Sequence, residues 1–196
     1  MMLDYSKTIE TIESLLSEGT ASSLTYAALE CRLALERACY DRLRNAHDYI
    51  SIADIKKWQP SEVIKKLQEI VDPEIANSVA FFIGREPIEN RIDGPTVEDY
   101  QAIEYVEIGR QASFDVKNIS KLWHALSKLA LHAMLPASRD DHIPNYGDAE
   151  TVRGKVTEAL EEIKKISAGT MLMMLPDQTI SFDCKCGKKI IRRKNF

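Results

Sequence analysis

The stretch from Ser22 or Ser23 to about Asn45 is apolar over more than half of its helical circumference. Leu24, Ala28, Cys31, Leu35 and Ala38 with Cys39 form one stripe, and Leu29, Leu33, Tyr40 and Leu43 a second. A surface helix needs only one such stripe, so this segment has to lie in the middle of a bundle. Its charges fall at i,i+4 spacing, Arg32 with Glu36 and Arg37 with Asp41. Each exposed pair of this kind adds about 0.2–0.5 kcal/mol.

A central helix needs neighbours, and the chain offers several. Tyr5 to Ser17 carries Ile9, Ile12, Leu15 and Leu16 on one face and stops at Gly19. Ser61 reads as the cap of a helix reaching Val71. Asp72-Pro73 places a capping residue before a proline, which predicts a helix ending near Gly84. After a polar loop over 85–95, Thr96-Val-Glu-Asp99 resembles a capping box and predicts a helix that stops at Gly109. Asp115 caps a segment with Ile119, Leu122, Trp123, Leu126, Leu129 and Ala130 on its inner face. Asp148 caps a last helix to about Ser167, with Lys164 and Lys165 near its negative end.

After Gly169 the apolar period changes from 3.6 to 2. Met171 to Leu175, Thr179 to Cys184 and Lys188 to Arg193 read as three short strands. Met171, Met173 and Met174 are expected to pack the strands on the bundle. The expected fold is an all-α helical bundle over 1–168 with a small C-terminal antiparallel β meander over 169–196. With 44% hydrophobic residues and only 8 Gly and 7 Pro, the composition excludes a disordered chain. No apolar run approaches the ~18–20 residues that span a bilayer, so no membrane association is expected. Met1-Met2-Leu3-Asp4 lacks the features of a secretion signal, and the four cysteines do not form a disulfide framework. Both point to a cytoplasmic setting.

Charge is divided unevenly. Residues 177–196 hold six Lys/Arg (Lys185, Lys188, Lys189, Arg192, Arg193, Lys194) against two Asp, a local +4. The whole chain is −4, so the other 176 residues carry −8. Two readings stay open for this strip. It protects an edge strand from aggregation, or it contacts the phosphates of RNA or another polyanion, with Phe182 or Phe196 available to stack on a base. The Cys184-Lys-Cys186-Gly turn resembles one knuckle of a zinc ribbon. A zinc site there would draw further ligands from a second subunit or from His142; the alternative is a plain hairpin turn. No other cofactor is required. Asp140-Asp141-His142 has metal-binding residue types but no second ligand set. The chain contains no phosphate-cradling glycine loop, nucleophile elbow or HExxH.

The long helix ends Tyr40-Asp-Arg-Leu-Arg-Asn-Ala-His47, with four residues between Arg42 and His47. Helical bundle and Arg–His pair together resemble the HEPN superfamily (higher eukaryotes and prokaryotes nucleotide-binding). Lys121-Leu-Trp-His-Ala-Leu-Ser-Lys-Leu-Ala-Leu-His132 is similar to a helix of bacterial HEPN-like proteins of defence islands. The resemblance implies an RNA-binding protein, in many members a metal-independent endoribonuclease of toxin or antiviral type that acts as a homodimer. It implies that Arg42 holds phosphate and His47 moves protons, with Ser127, His132 and Arg44 as auxiliary groups. Histidine suits proton transfer near neutral pH, and guanidinium suits charge building on phosphate. Leu43 departs from the polar residue the family usually has after the arginine. Five residues along a helix put two side chains ~140° apart, so convergence requires the helix to end by Asn45. The competing function is a non-catalytic helical binding module whose basic tail contacts nucleic acid or an acidic protein.

Overall fold

The computed structural model describes residues 4–45, 59–73, 75–86, 96–133, 138–139, 146–170, 179–183 and 189–193. Their elements run α1 (Ser6–Glu18), α2 (Ala21–Asn45), α3 (Pro60–Ile70), β1 (Val79–Gly84), α4 (Val97–Gln101), β2 (Tyr105–Gln111), α5 (Val116–Leu131), α6 (Ala149–Ser167), β3 (Thr179–Asp183) and β4 (Lys189–Arg193). The protein is mostly helical, with small antiparallel strand pairs.

α2 is the axis of the bundle and packs against α1, α3, α5 and α6. Ala27, Ala28, Cys31, Ala34, Ala38 and Cys39 are all buried along it. Small side chains of this kind let several helices approach one backbone closely. Leu24, Leu35 and Leu43 fill the remaining space against Ile12, Leu67, Leu122, Leu126 and Ile163. Leu33, assigned to the second stripe from sequence, faces solvent.

Caps decide the helix ends. Asp115 accepts from the Asn118 amide at 2.9 Å and Asp148 from that of Thr151 at 2.8 Å, as expected. The hydroxyl at the start of α2 comes from Thr20, which accepts from the Ser23 amide at 3.1 Å, rather than from Ser22 or Ser23. Ser61 lies inside α3, where Pro60 occupies the first turn and no side chain caps. Gly19 closes α1 in the left-handed region at φ 68, and Arg153 Nη1 reaches over from α6 to the Leu16 carbonyl at 2.9 Å.

Two expected helices are corrected. The segment after Asp72-Pro73 makes a turn, in which the Asp72 carbonyl accepts from the Ile75 amide at 3.1 Å, and then becomes strand β1. The run Val79-Ala-Phe-Phe-Ile-Gly84 is rich in residues that fit a pleated surface, and a pairing partner decides its conformation. The Thr96/Asp99 capping box is present, but α4 ends at Gln101 and Gly109 lies in β2. β1 and β2 pair antiparallel from Val79↔Gln111 to Gly84↔Tyr105, with a register shift between Phe81 and Phe82. The expected all-α body therefore includes a central hairpin. Of the C-terminal meander, β3 and β4 pair antiparallel, while Met171 to Leu175 lies outside the described residues.

The end of α6 is fastened to β2. The Thr170 amide donates to the Arg110 carbonyl at 2.9 Å, and its hydroxyl accepts from the Arg110 amide at 3.0 Å. A Cβ on Gly169 would lie 2.9 Å from the Ala112 nitrogen and 3.2 Å from the Ile166 carbonyl. Both are backbone atoms, which yield only if a segment moves. Gly169→Ala is expected to cost about 1–3 kcal/mol, read as a lower Tm in thermal unfolding. A variant melting with the parent would show that this approach can relax.

Candidate functional site

Arg42 is the expected phosphate ligand, and the fold buries it. Its side chain is 2% exposed at the inner end of α2. Nη1 donates to the Ala38 carbonyl at 2.9 Å and Nε to the Ile75 carbonyl at 3.4 Å. The guanidinium carbon stands 4.4 Å from the centre of the Phe114 ring, a cation–π arrangement strengthened by desolvation. Burial pushes the guanidinium below its ordinary value, while Cys39, Tyr5 and Asp41 act the other way. It stays protonated, as arginine does in proteins.

The carbonyl it grips belongs to the turn between α3 and β1. Gln111, at the end of β2, donates to that same Ile75 carbonyl and to Asn77, each at 3.1 Å. The Phe114 amide donates to the Ala76 carbonyl at 2.8 Å. Arg42 therefore acts as a clasp between the helical bundle and the central hairpin. Sequence reasoning missed Gln111, whose type and neighbours give no local signal.

α2 is described as far as Asn45; His47, and with it the convergence of the pair, lies outside the described residues. Arg44 is exposed and stands 3.9 Å from Asp41, which also faces Arg37 at 3.6 Å. The auxiliary residues do not gather around Arg42. α2 and α5 run antiparallel, because Arg32 meets Ser127, Glu36 meets Trp123 and Arg42 meets Phe114. Ser127 is thus level with Arg32, ten residues or about 15 Å along α2 from Arg42. His132, the exposed residue after α5, lies farther still in the same direction.

Ser127 instead joins a polar cluster across the α2–α5 seam. Arg32 Nε donates to its hydroxyl at 2.9 Å, and Arg32 Nη2 pairs with Glu36 at 2.8 Å. The Trp123 indole donates to the same Glu36 oxygen at 2.7 Å, and Arg32 stacks on the Trp123 ring at 4.9 Å. The Ser127 hydroxyl in turn donates a hydrogen bond to the Trp123 carbonyl at 2.7 Å. Each group is satisfied by another, so the cluster fixes helix register. The Arg32–Glu36 pair was legible from its spacing; its partners on α5 were not.

No family model, curated protein or solved structure matches this chain.

At the C-terminus, pairing sets Thr179 opposite Arg193, Ile180 opposite Arg192 and Asp183 opposite Lys189. Three of the six expected phosphate-contacting residues therefore lie on β4. Lys185, Lys188 and Lys194 lie outside the described residues, as do Cys184, Cys186 and His142 of the expected zinc site. Among the described residues, no group of three or more His, Cys, Asp or Glu is placed to hold a metal ion. No described helix is long and apolar enough to cross a membrane.

Proposed function

We propose that this protein is a non-catalytic RNA-binding module, with the basic segment around β4 as its phosphate-contacting strip. The observation that carries this reading is the strand Lys189-Ile-Ile-Arg-Arg193, which brings three cations onto one paired strand of an otherwise acidic chain. Lys185, Lys188 and Lys194 extend the same charge in sequence.

Endoribonuclease chemistry, which the HEPN resemblance implies, asks more of the molecule. Arg42 would have to leave two carbonyls and an aromatic face to reach phosphate, whereas binding through β4 does not call on that buried group.

Binding is tested by titrating labelled single-stranded RNA at several salt concentrations. Six phosphate contacts give a slope of log K against log salt near −4 at ~0.7 per contact. Replacing Lys189, Arg192 and Arg193 together by alanine is expected to bring the slope to about −2 and to weaken binding at every salt. An unchanged slope in this variant, or no binding by the parent protein at low salt, refutes the assignment.

A further inference from the structure

A second cationic feature lies on the helical body, in a groove between α3 and α5. Ser61, Lys65, Val116, Lys117, Ser120, Lys121 and His124 line it, and it encloses about 330 Å³. That volume is at the lower end of the ~300–1,000 Å³ found for small-ligand sites. Among the described residues, the lining holds three ammonium groups, an imidazole and two hydroxyls, and no carboxylate. Such donors, around an open space, suit a tetrahedral oxyanion.

Most of the other described lysines are paired with acids; Lys7 and Lys128 are the exceptions among the described side chains. Lys66, Lys155, Lys164 and Lys165 each have a carboxylate partner within 4.0 Å. Among the described residues, Lys117 and Lys121 have none, although they are one turn apart on the same face of α5. Like charges at i,i+4 repel, and Lys117 also sits in the first turn, at the positive end of the helix dipole. Ser61 brings the N-terminal turn of α3, which no side chain caps, to the same groove. Among the described residues, two acids adjoin lining positions in sequence. Glu62 pairs with Lys65 at 3.3 Å, and Asp115 is committed to the Asn118 amide at 2.9 Å. Neither neutralises Lys117 or Lys121, and a bound anion would relieve both strains together.

We infer that the α3–α5 groove is a phosphate-binding site, with Lys117 and Lys121 as principal ligands and Lys65, Ser61, Ser120 and His124 completing the cradle. The site is separate from the β4 strip and does not depend on the RNA-binding reading. Its ligand is a phosphate group, borne by a free anion, a mononucleotide or a nucleic-acid strand.

Amide chemical shifts of the full chain, titrated in turn with inorganic phosphate, uridine monophosphate and a short RNA, test the site. Saturable shifts are expected at Ser61, Lys65, Ser120, Lys121 and His124. Equal affinity for the first two probes would mean that phosphate alone is recognised. Tighter binding of uridine monophosphate would identify a nucleotide, and binding of RNA alone a strand. In the Lys117→Gln/Lys121→Gln variant, affinity is expected to fall at least about tenfold with unchanged melting, because both side chains are exposed. Alanine replacement of Lys189, Arg192 and Arg193 should leave inorganic phosphate binding intact, which separates the two sites. No saturable shift with any probe at millimolar concentration, or full affinity in the double glutamine variant, overturns the inference.

Discussion

Arg42→Ala is expected to destabilise the fold by about 2–4 kcal/mol, the range for truncating a large buried side chain. The loss comes from the cavity between Ala38, Ile75 and Phe114, and from the contact with the Phe114 ring. Arg42→Met separates packing from charge. Methionine fills much of the same volume, and Gln111 still serves the Ile75 carbonyl at 3.1 Å. Replacing a buried charged group by a hydrophobic one of similar size is often neutral, so this variant should stay within about 1.5 kcal/mol of the parent. Urea unfolding followed by circular dichroism reads both. Equal, large losses in the two variants would mean that the guanidinium itself, not its bulk, holds the clasp. If Arg42→Met folded normally but lost an RNA-cleaving activity shown by the parent, the arginine would have a chemical role that its buried position does not reveal.

Alkali should unfold the protein steeply. Burial pushes the Cys31 thiol from 9.0 up to about 12, and it pushes the Cys39 thiol and the Tyr5 phenol up as well. In the unfolded chain these thiols ionise near their ordinary value; in the folded chain they stay protonated. Their contribution is therefore complete below pH about 9 and is lost as pH rises toward about 12. Each buried thiol takes away about 1.4 kcal/mol per pH unit where it is ionised only in the unfolded chain, so the pair removes about 3 kcal/mol for each pH unit. Domains of this kind have about 5–15 kcal/mol in total. Urea midpoints should thus fall sharply above pH 9, and the fall should be much shallower in a Cys31→Ala/Cys39→Ala variant. The comparison rests on slope, since the variant also starts lower from its small cavities. The same slope in both proteins would mean that other groups drive alkaline unfolding.

How much of this was legible depended on where the information lies. The placement of α2 followed from its own residues, because apolar character on most of a helix permits only a central position. α1, α5 and α6 carried their caps in sequence, and those caps form. β1 and β2 were read as helices because Asp72-Pro73 and Thr96/Asp99 are genuine local start signals. What makes those segments strands is their pairing with each other, about 25 residues apart, which no short window contains. The same limit applies to the site. Arg42 was visible as an arginine at a helix end, but its burial depends on Ile75 and Phe114, which reach it from other parts of the chain. The α3–α5 groove went unread for that reason: Lys65 lies far in sequence from Lys117 and Lys121.

The reach of Arg153 on α6 back to Leu16 on α1 spans 137 positions, and Lys164 returns to Glu13 at 2.9 Å in the same seam. α1 therefore lacks one of its two helical walls until α6 has left the ribosome. A nascent chain ending before about residue 167 would hold α2 with one flank bare, its alanines and cysteines open to water. Long-range closure of this kind slows folding and leaves apolar surface uncovered meanwhile. Synthesis of this protein should thus proceed without a stable amino-terminal subdomain, with the bundle locking as a unit once its sixth helix arrives.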